Sequence, residues 1–103
     1  MNRDKLTEAQ IESQMAALAS FGGWQLENGA LTKAFRFSAY LDGVRFAVRV
    51  AEEAEKRDHH PDLVIGWRKV LFRVSTHSAK GLSQLDFDLA QRTEELLGVD
   101  QRA

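Results

Sequence analysis

Cysteine is absent from the 103 residues. That excludes disulfides, thiolate metal sites and cysteine nucleophiles together, and it fits a reducing compartment. Proline occurs once, at Pro61, so the chain has a single position at which ring closure disfavours helical backbone in the residue before it. Charge of one sign is lacking too: 14 Lys and Arg stand against 15 Asp and Glu, a formal net charge of −1. With no basic surplus to bind a phosphate backbone, nucleic acid is excluded as an expected partner. No segment approaches the roughly 18 uninterrupted apolar residues of a membrane span. The polar start from Met1 to Leu6 lacks the apolar stretch of a secretory signal. These absences together predict a cytoplasmic protein. Neither a repeat, a linker nor a low-complexity tract interrupts the chain, so residues 1–103 are read as one domain.

What is present is ordinary for a globular chain, with 44% hydrophobic and 28% charged residues. A first helix is expected from Thr7, where Thr7 and Gln10 have capping-box spacing and Leu6 can staple against Ile11. Ile11, Met15, Leu18 and Ala19 form its apolar stripe, and Gly22-Gly23 ends it. Trp24 and Leu26 alternate with polar neighbours, Asn28-Gly29 is a two-residue hairpin signal, and Leu31, Phe35 and Phe37 continue the period of two. From Ser38 the period changes: Leu41, Val44, Val48, Ala51 and Glu55 read as one helical stripe, broadened by Phe46 and Val50. Pro61 predicts the end of this helix near Asp58.

Two further strands are read at 63–67 and 70–76, with Val70, Phe72, Val74 and Thr76 on one side and Leu71, Arg73, Ser75 and His77 on the other. A last helix starts at Ser83, which has capping-box-like spacing to Asp86, and closes at Gly98. The expected class is α+β in the order α-β-β-α-β-β-α, a four-stranded antiparallel sheet with helices packed on one face. The other face or the edges would need cover, which predicts a homo-oligomer.

All three histidines fall between residues 59 and 77, and imidazole is the side chain best suited to proton transfer near neutral pH. Strand pairing could bring His59 and His60, just past a helix, to one cleft with His77, at the end of a strand. Each also has a plain structural reading. A histidine at a helix C-terminus is a favourable dipole contact, and Asp86 in the first turn of a helix is a favourable cap. Glu55 reads equally as a solvated charge, Trp67 as core, and the Ser75-Thr76 hydroxyls as partners for edge backbone. Three histidines with Asp58 or Asp86 could also bind zinc. Adjacent histidines tend to diverge, however, and the helical pair four apart is missing, so no metal is expected.

The run Glu55-Lys56, Asp58-His59-His60-Pro61, then Trp67, then Ser75-Thr76-His77, then Gly81-Leu82-Ser83 with Asp86 resembles the pattern of the pterin-4a-carbinolamine dehydratases. The likeness runs from the first helix to the last. It implies a cofactor-free dehydratase acting on 4a-hydroxytetrahydropterin, the product of pterin-dependent aromatic hydroxylation, and thus a part in tetrahydrobiopterin recycling. It implies catalytic roles for His59, His60, His77 and Asp86. His59 and His77 would be acid and base at the 4a-hydroxyl, His60 would chiefly hold the pterin, and Asp86 would orient a histidine. It also implies a pterin pocket shaped by Glu55, Asp58, His59, His60, Pro61 and His77, with backbone groups around Ser75 and Thr76 meeting the ring. Leu63 departs from the aromatic residue of many relatives. Arg68 and Leu71 depart from the animal relatives that double as dimerisation cofactors of a homeodomain transcription factor, so that second role is not carried over. The alternatives are a non-catalytic interaction or regulatory module of the same fold, and an enzyme on another pterin, as in molybdopterin metabolism.

Overall fold

Thr7 and Gln10 form the reciprocal cap that their spacing predicts. Thr7 Oγ1 accepts the Gln10 N–H at 3.1 Å and Gln10 Oε1 accepts the Thr7 N–H at 2.8 Å. They open helix α1, Glu8–Leu18, in a computed structural model that describes residues 3–98. Met1 and Asn2, where the polar start begins, lie outside the described residues, as do 99–103. Strands β1 (Gln25–Glu27) and β2 (Ala30–Arg36) follow. Asn28 and Gly29 both take positive φ, 49° and 76°, the backbone that a tight two-residue hairpin turn requires. Helix α2 spans Tyr40–Arg57, strands β3 and β4 span Asp62–Gly66 and Lys69–Val74, and helix α3 spans Gln84–Leu97.

The four strands form one antiparallel sheet in the order β1-β2-β4-β3. Register fixes which side chains turn inward. Leu31 lies opposite Val74 and Phe35 opposite Val70, and all four are buried. All three helices cover that face, contributing Leu18, Phe46, Val50, Phe87 and Leu89 to the same core. Trp24 stands edge-on to Phe35 and Phe72, with centroids 5.9 and 5.5 Å away, the arrangement favoured by ring quadrupoles. Its indole N–H donates to Glu94 at 2.8 Å, and Glu94 also pairs with Lys33. A nearly buried ion pair thereby fastens β2 to α3. The sheet's other face is open, and a recess of about 760 Å³ there is lined by residues such as Gln25, Ala34, Val64 and Leu71. No histidine lines it.

Three expectations need correction. The side of α2 that packs on the sheet is Gly43, Phe46, Ala47, Val50 and Ala54, whereas Leu41 and Val48 are 55% and 52% exposed. The bulky stripe therefore faces outward. On the inner side Gly43, Ala47 and Ala54 stand alongside Phe46 and Val50, and a Cβ added at Gly43 would meet the Phe37 ring at 3.2 Å, so the helix lies close against the sheet. Trp67 is not core either: it sits in the β3–β4 turn, 75% exposed, with the Arg68 guanidinium over its ring. Finally, Ala19 leaves the α1 stripe for a short 3-10 turn, Ala19–Phe21, and is exposed.

Candidate active site

The end of α2 is built to turn the chain sharply. Asp58 adopts left-handed backbone (φ 49°, ψ 44°). Its N–H donates to the Glu55 carbonyl at 3.2 Å, and the His59 N–H reaches back to the Ala54 carbonyl at 3.1 Å. This pair of bonds is the Schellman arrangement that satisfies the last carbonyls of a helix. Glycine is the usual occupant of its left-handed position, and aspartate is among the few others that tolerate it. The reversal sends His59 back under the helix, where it is 5% exposed. His60 points out, and Pro61 then leads into β3.

Inside, His59 meets Asp86, which is fully buried. His59 Nε2 lies 2.6 Å from Asp86 Oδ1. Asp86 Oδ2 accepts the Ser83 N–H at 2.8 Å and the Thr76 hydroxyl at 2.7 Å. The first of these is half of the cap that opens α3, so the cap and the histidine share one carboxylate. A buried carboxylate is tolerable when its lone pairs are occupied in this way. Outside, His60 Nε2 lies 2.6 Å from Glu55 Oε1, with both side chains largely in solvent.

His77 opens a 3-10 turn, His77–Ala79, directly after the inward-facing Thr76. It is exposed and lines a recess of about 300 Å³ with Ser75, Lys80 and the Asn28-Gly29 turn. A path of two hydrogen bonds, His59 to Asp86 to Thr76, thus ends one residue short of His77. The structure joins His59, Asp86 and Thr76 in one network and pairs His60 with Glu55; it sets His77 and Ser75 at a recess that Thr76 also lines and that neither His59 nor His60 lines. Among the described residues, no three of His, Asp and Glu gather as metal ligands.

Thr76 lines the same recess as Ser75 and His77, with its own polar hydrogens already paired within the chain. Its N–H donates to the Gly81 carbonyl at 2.9 Å and its carbonyl accepts the Ala79 N–H. Its hydroxyl is committed to Asp86. It therefore offers a ligand neither N–H nor O–H. Ser83, a cap and a member of the family pattern in the sequence, also places its side chain in this network, 2.5 Å from Thr76 Oγ1. The available signal was the inward parity of Thr76 with Val70, Phe72 and Val74, which sends its hydroxyl towards the helix that Ser83 opens.

Residues 4–96 match the family model described as pterin 4 alpha carbinolamine dehydratase. The chain belongs to that family. A protein of Mycobacterium sp. (strain KMS), provisionally named a pterin-4-alpha-carbinolamine dehydratase, is 45% identical over 92 residues, which are 89% of this chain and 95% of that one. A similarly named protein of Natronomonas pharaonis is 41% identical over 93 residues, 90% of this chain and 96% of its own. Among solved structures, a transcriptional coactivator/pterin dehydratase from Brucella melitensis superposes with a TM-score of 0.85 at 31% identity, covering 92% of this chain and all of that one. A pterin dehydratase-like protein described as a RuBisCO assembly factor of the alpha-carboxysome shares the fold, with a TM-score of 0.63 at 22% identity over 75% of this chain and 92% of its own.

Proposed function

We propose that this dehydratase-family protein removes water from a 4a-hydroxytetrahydropterin by histidine acid–base catalysis, as a cytoplasmic step of tetrahydrobiopterin recycling. The observation that carries the reading is the His59–Asp86 contact of 2.6 Å inside the core, which holds one imidazole in a fixed orientation. In the reaction the C4a–O bond breaks as a general acid protonates the departing hydroxyl to water. A general base takes the N5 proton, and the electrons of that N–H bond close the C4a=N5 double bond of the quinonoid dihydropterin. His59 and His77 are assigned these two roles. His60, braced by Glu55, holds the ring, and Asp58, Pro61 and Ser75 shape the pocket.

A positioned acid or base contributes roughly 10²–10⁴-fold. His59→Ala and His77→Ala should each lose acceleration on that scale when 4a-hydroxytetrahydropterin is generated by a pterin-dependent hydroxylase and its dehydration followed by absorbance. Folded wild-type protein that gives no acceleration would sink the reading.

A second reading, a protein-interaction module, draws on the outward apolar residues Leu41, Val44 and Val48 of α2 and on the coactivator named among the structural relatives. We assign that stripe first to self-association into a homo-oligomer. Turnover separates the readings, since a pure interaction module would bind partners and leave dehydration at its background rate.

A further inference from the structure

The hydroxyls of Thr76 and Ser83 take no part in the acid–base scheme above, yet both are buried. Thr76 is 1% exposed and Ser83 fully enclosed. A buried hydroxyl without a partner costs about 1–3 kcal/mol, and these two satisfy each other in a line that ends on Asp86. Counting hydrogens gives the directions. Asp86 Oδ2 accepts the Ser83 N–H and the Thr76 O–H, at 2.8 and 2.7 Å. Thr76 has one hydroxyl proton, so across the 2.5 Å contact it is Ser83 that donates, to Thr76 Oγ1. Ser83 Oγ in turn accepts the Leu85 N–H at 3.3 Å. Every donor around the carboxylate points at it, which leaves Oδ1 as an acceptor for His59 Nε2 at 2.6 Å. The hydrogen on that contact then belongs to the imidazole, and the proton-accepting atom of the neutral ring is Nδ1.

We propose that Thr76 and Ser83 are positioning residues, whose buried hydroxyls keep Asp86 an acceptor and thereby hold His59 as the Nε2–H tautomer with Nδ1 as the atom that exchanges a proton with substrate. This rests on the acid–base reading of His59, but its first test does not. In wild-type protein carrying ¹⁵N-labelled histidine and no substrate, the His59 ring shows the shift pattern of an Nε2–H imidazole. Thr76→Val keeps the shape and removes the hydroxyl, so the pattern moves towards the Nδ1–H form or a mixture. Thr76→Ser restores it. With substrate, Thr76→Val lowers kcat roughly tenfold or more while KM changes much less, and Thr76→Ser recovers most of the loss. If Thr76→Val does not fold, Ser83→Ala removes the outer hydroxyl and is read by the same signal. An Nδ1–H pattern in wild type, or an unchanged pattern and kcat in folded Thr76→Val, overturns the proposal. A pattern that moves as described in a protein that dehydrates no pterin supports the positioning role and removes the substrate assignment instead.

Discussion

His60 Nε2 and Glu55 Oε1 are 2.6 Å apart, the same separation as His59 Nε2 and Asp86 Oδ1. Water makes the two contacts unequal. The first pair is 57% and 77% exposed, the second 5% and 0%. An exposed pair competes with solvent and contributes at most about 1 kcal/mol, whereas a buried group that loses its partner carries the desolvation cost of about 1–3 kcal/mol. Glu55→Gln is therefore expected to leave the urea midpoint nearly unchanged. Asp86→Asn, which turns an amide donor towards groups that already donate, should lower unfolding free energy by at least about 1–3 kcal/mol. Urea titrations of the two variants check the contrast.

Asp58 bears the strain of the turn that aims His59. A non-glycine residue in left-handed backbone is held there at a cost of about 1 kcal/mol. Asp58→Gly should raise stability by about that much while removing a carboxylate from the proposed pocket. The expected outcome is a higher urea midpoint together with a higher KM for the pterin.

Glu53 ties α2 to α3. Its carboxylate accepts from Arg57 at 2.9 Å and from Arg92 at 3.2 Å. The Arg57 hydrogen bond first, then that of Arg92, holds its pKa below the ordinary 4.5, against an opposing push from burial. The folded pKa lies below the unfolded one, so the contribution is full above about 4.5 and fades as pH falls through the lower folded value. Glu53→Gln should cost up to about 1 kcal/mol at pH 7, with the gap to wild type closing in acid. Unfolding curves at pH 7 and well below about 4.5 test it.

The outward stripe of α2 makes a prediction about assembly. Leu41 and Val48 are exposed on a helix whose inner side already packs on the sheet, and clustered surface apolar groups mark association. Val48→Glu should leave the circular dichroism of the fold intact and lower the mass found by sedimentation. An unchanged mass in wild type and variant would remove the assignment of this stripe to self-association.

Local signals were the legible ones. Both capping boxes, the Asn28-Gly29 hairpin and the end of α2 before Pro61 depend on residues within a few positions of each other, and each stands where the sequence puts it. The inner face of α2 was legible only in part: Phe46 and Val50 stand on it as expected, but both faces carry apolar residues at helical spacing. Close approach to the sheet selects Gly43, Ala47 and Ala54, which look weakly hydrophobic, over Leu41 and Val48, which look strongly so. Asp86 could be read both as a cap and as a family position, and the structure gives it both contacts. For the hydroxyl line, strand parity turns Thr76 inward, but the Ser83 hydroxyl that it meets is fixed only by tertiary contact.

Asp86 caps the first turn of α3 and meets His59 with one carboxylate. Native proteins open first where few contacts are buried, and this turn is not such a place: Ser83, Leu85, Asp86 and Phe87 are all buried. Unwinding the turn and releasing the imidazole 2.6 Å away are therefore one event. The orientation of His59 should persist on warming until the core around that turn itself gives way.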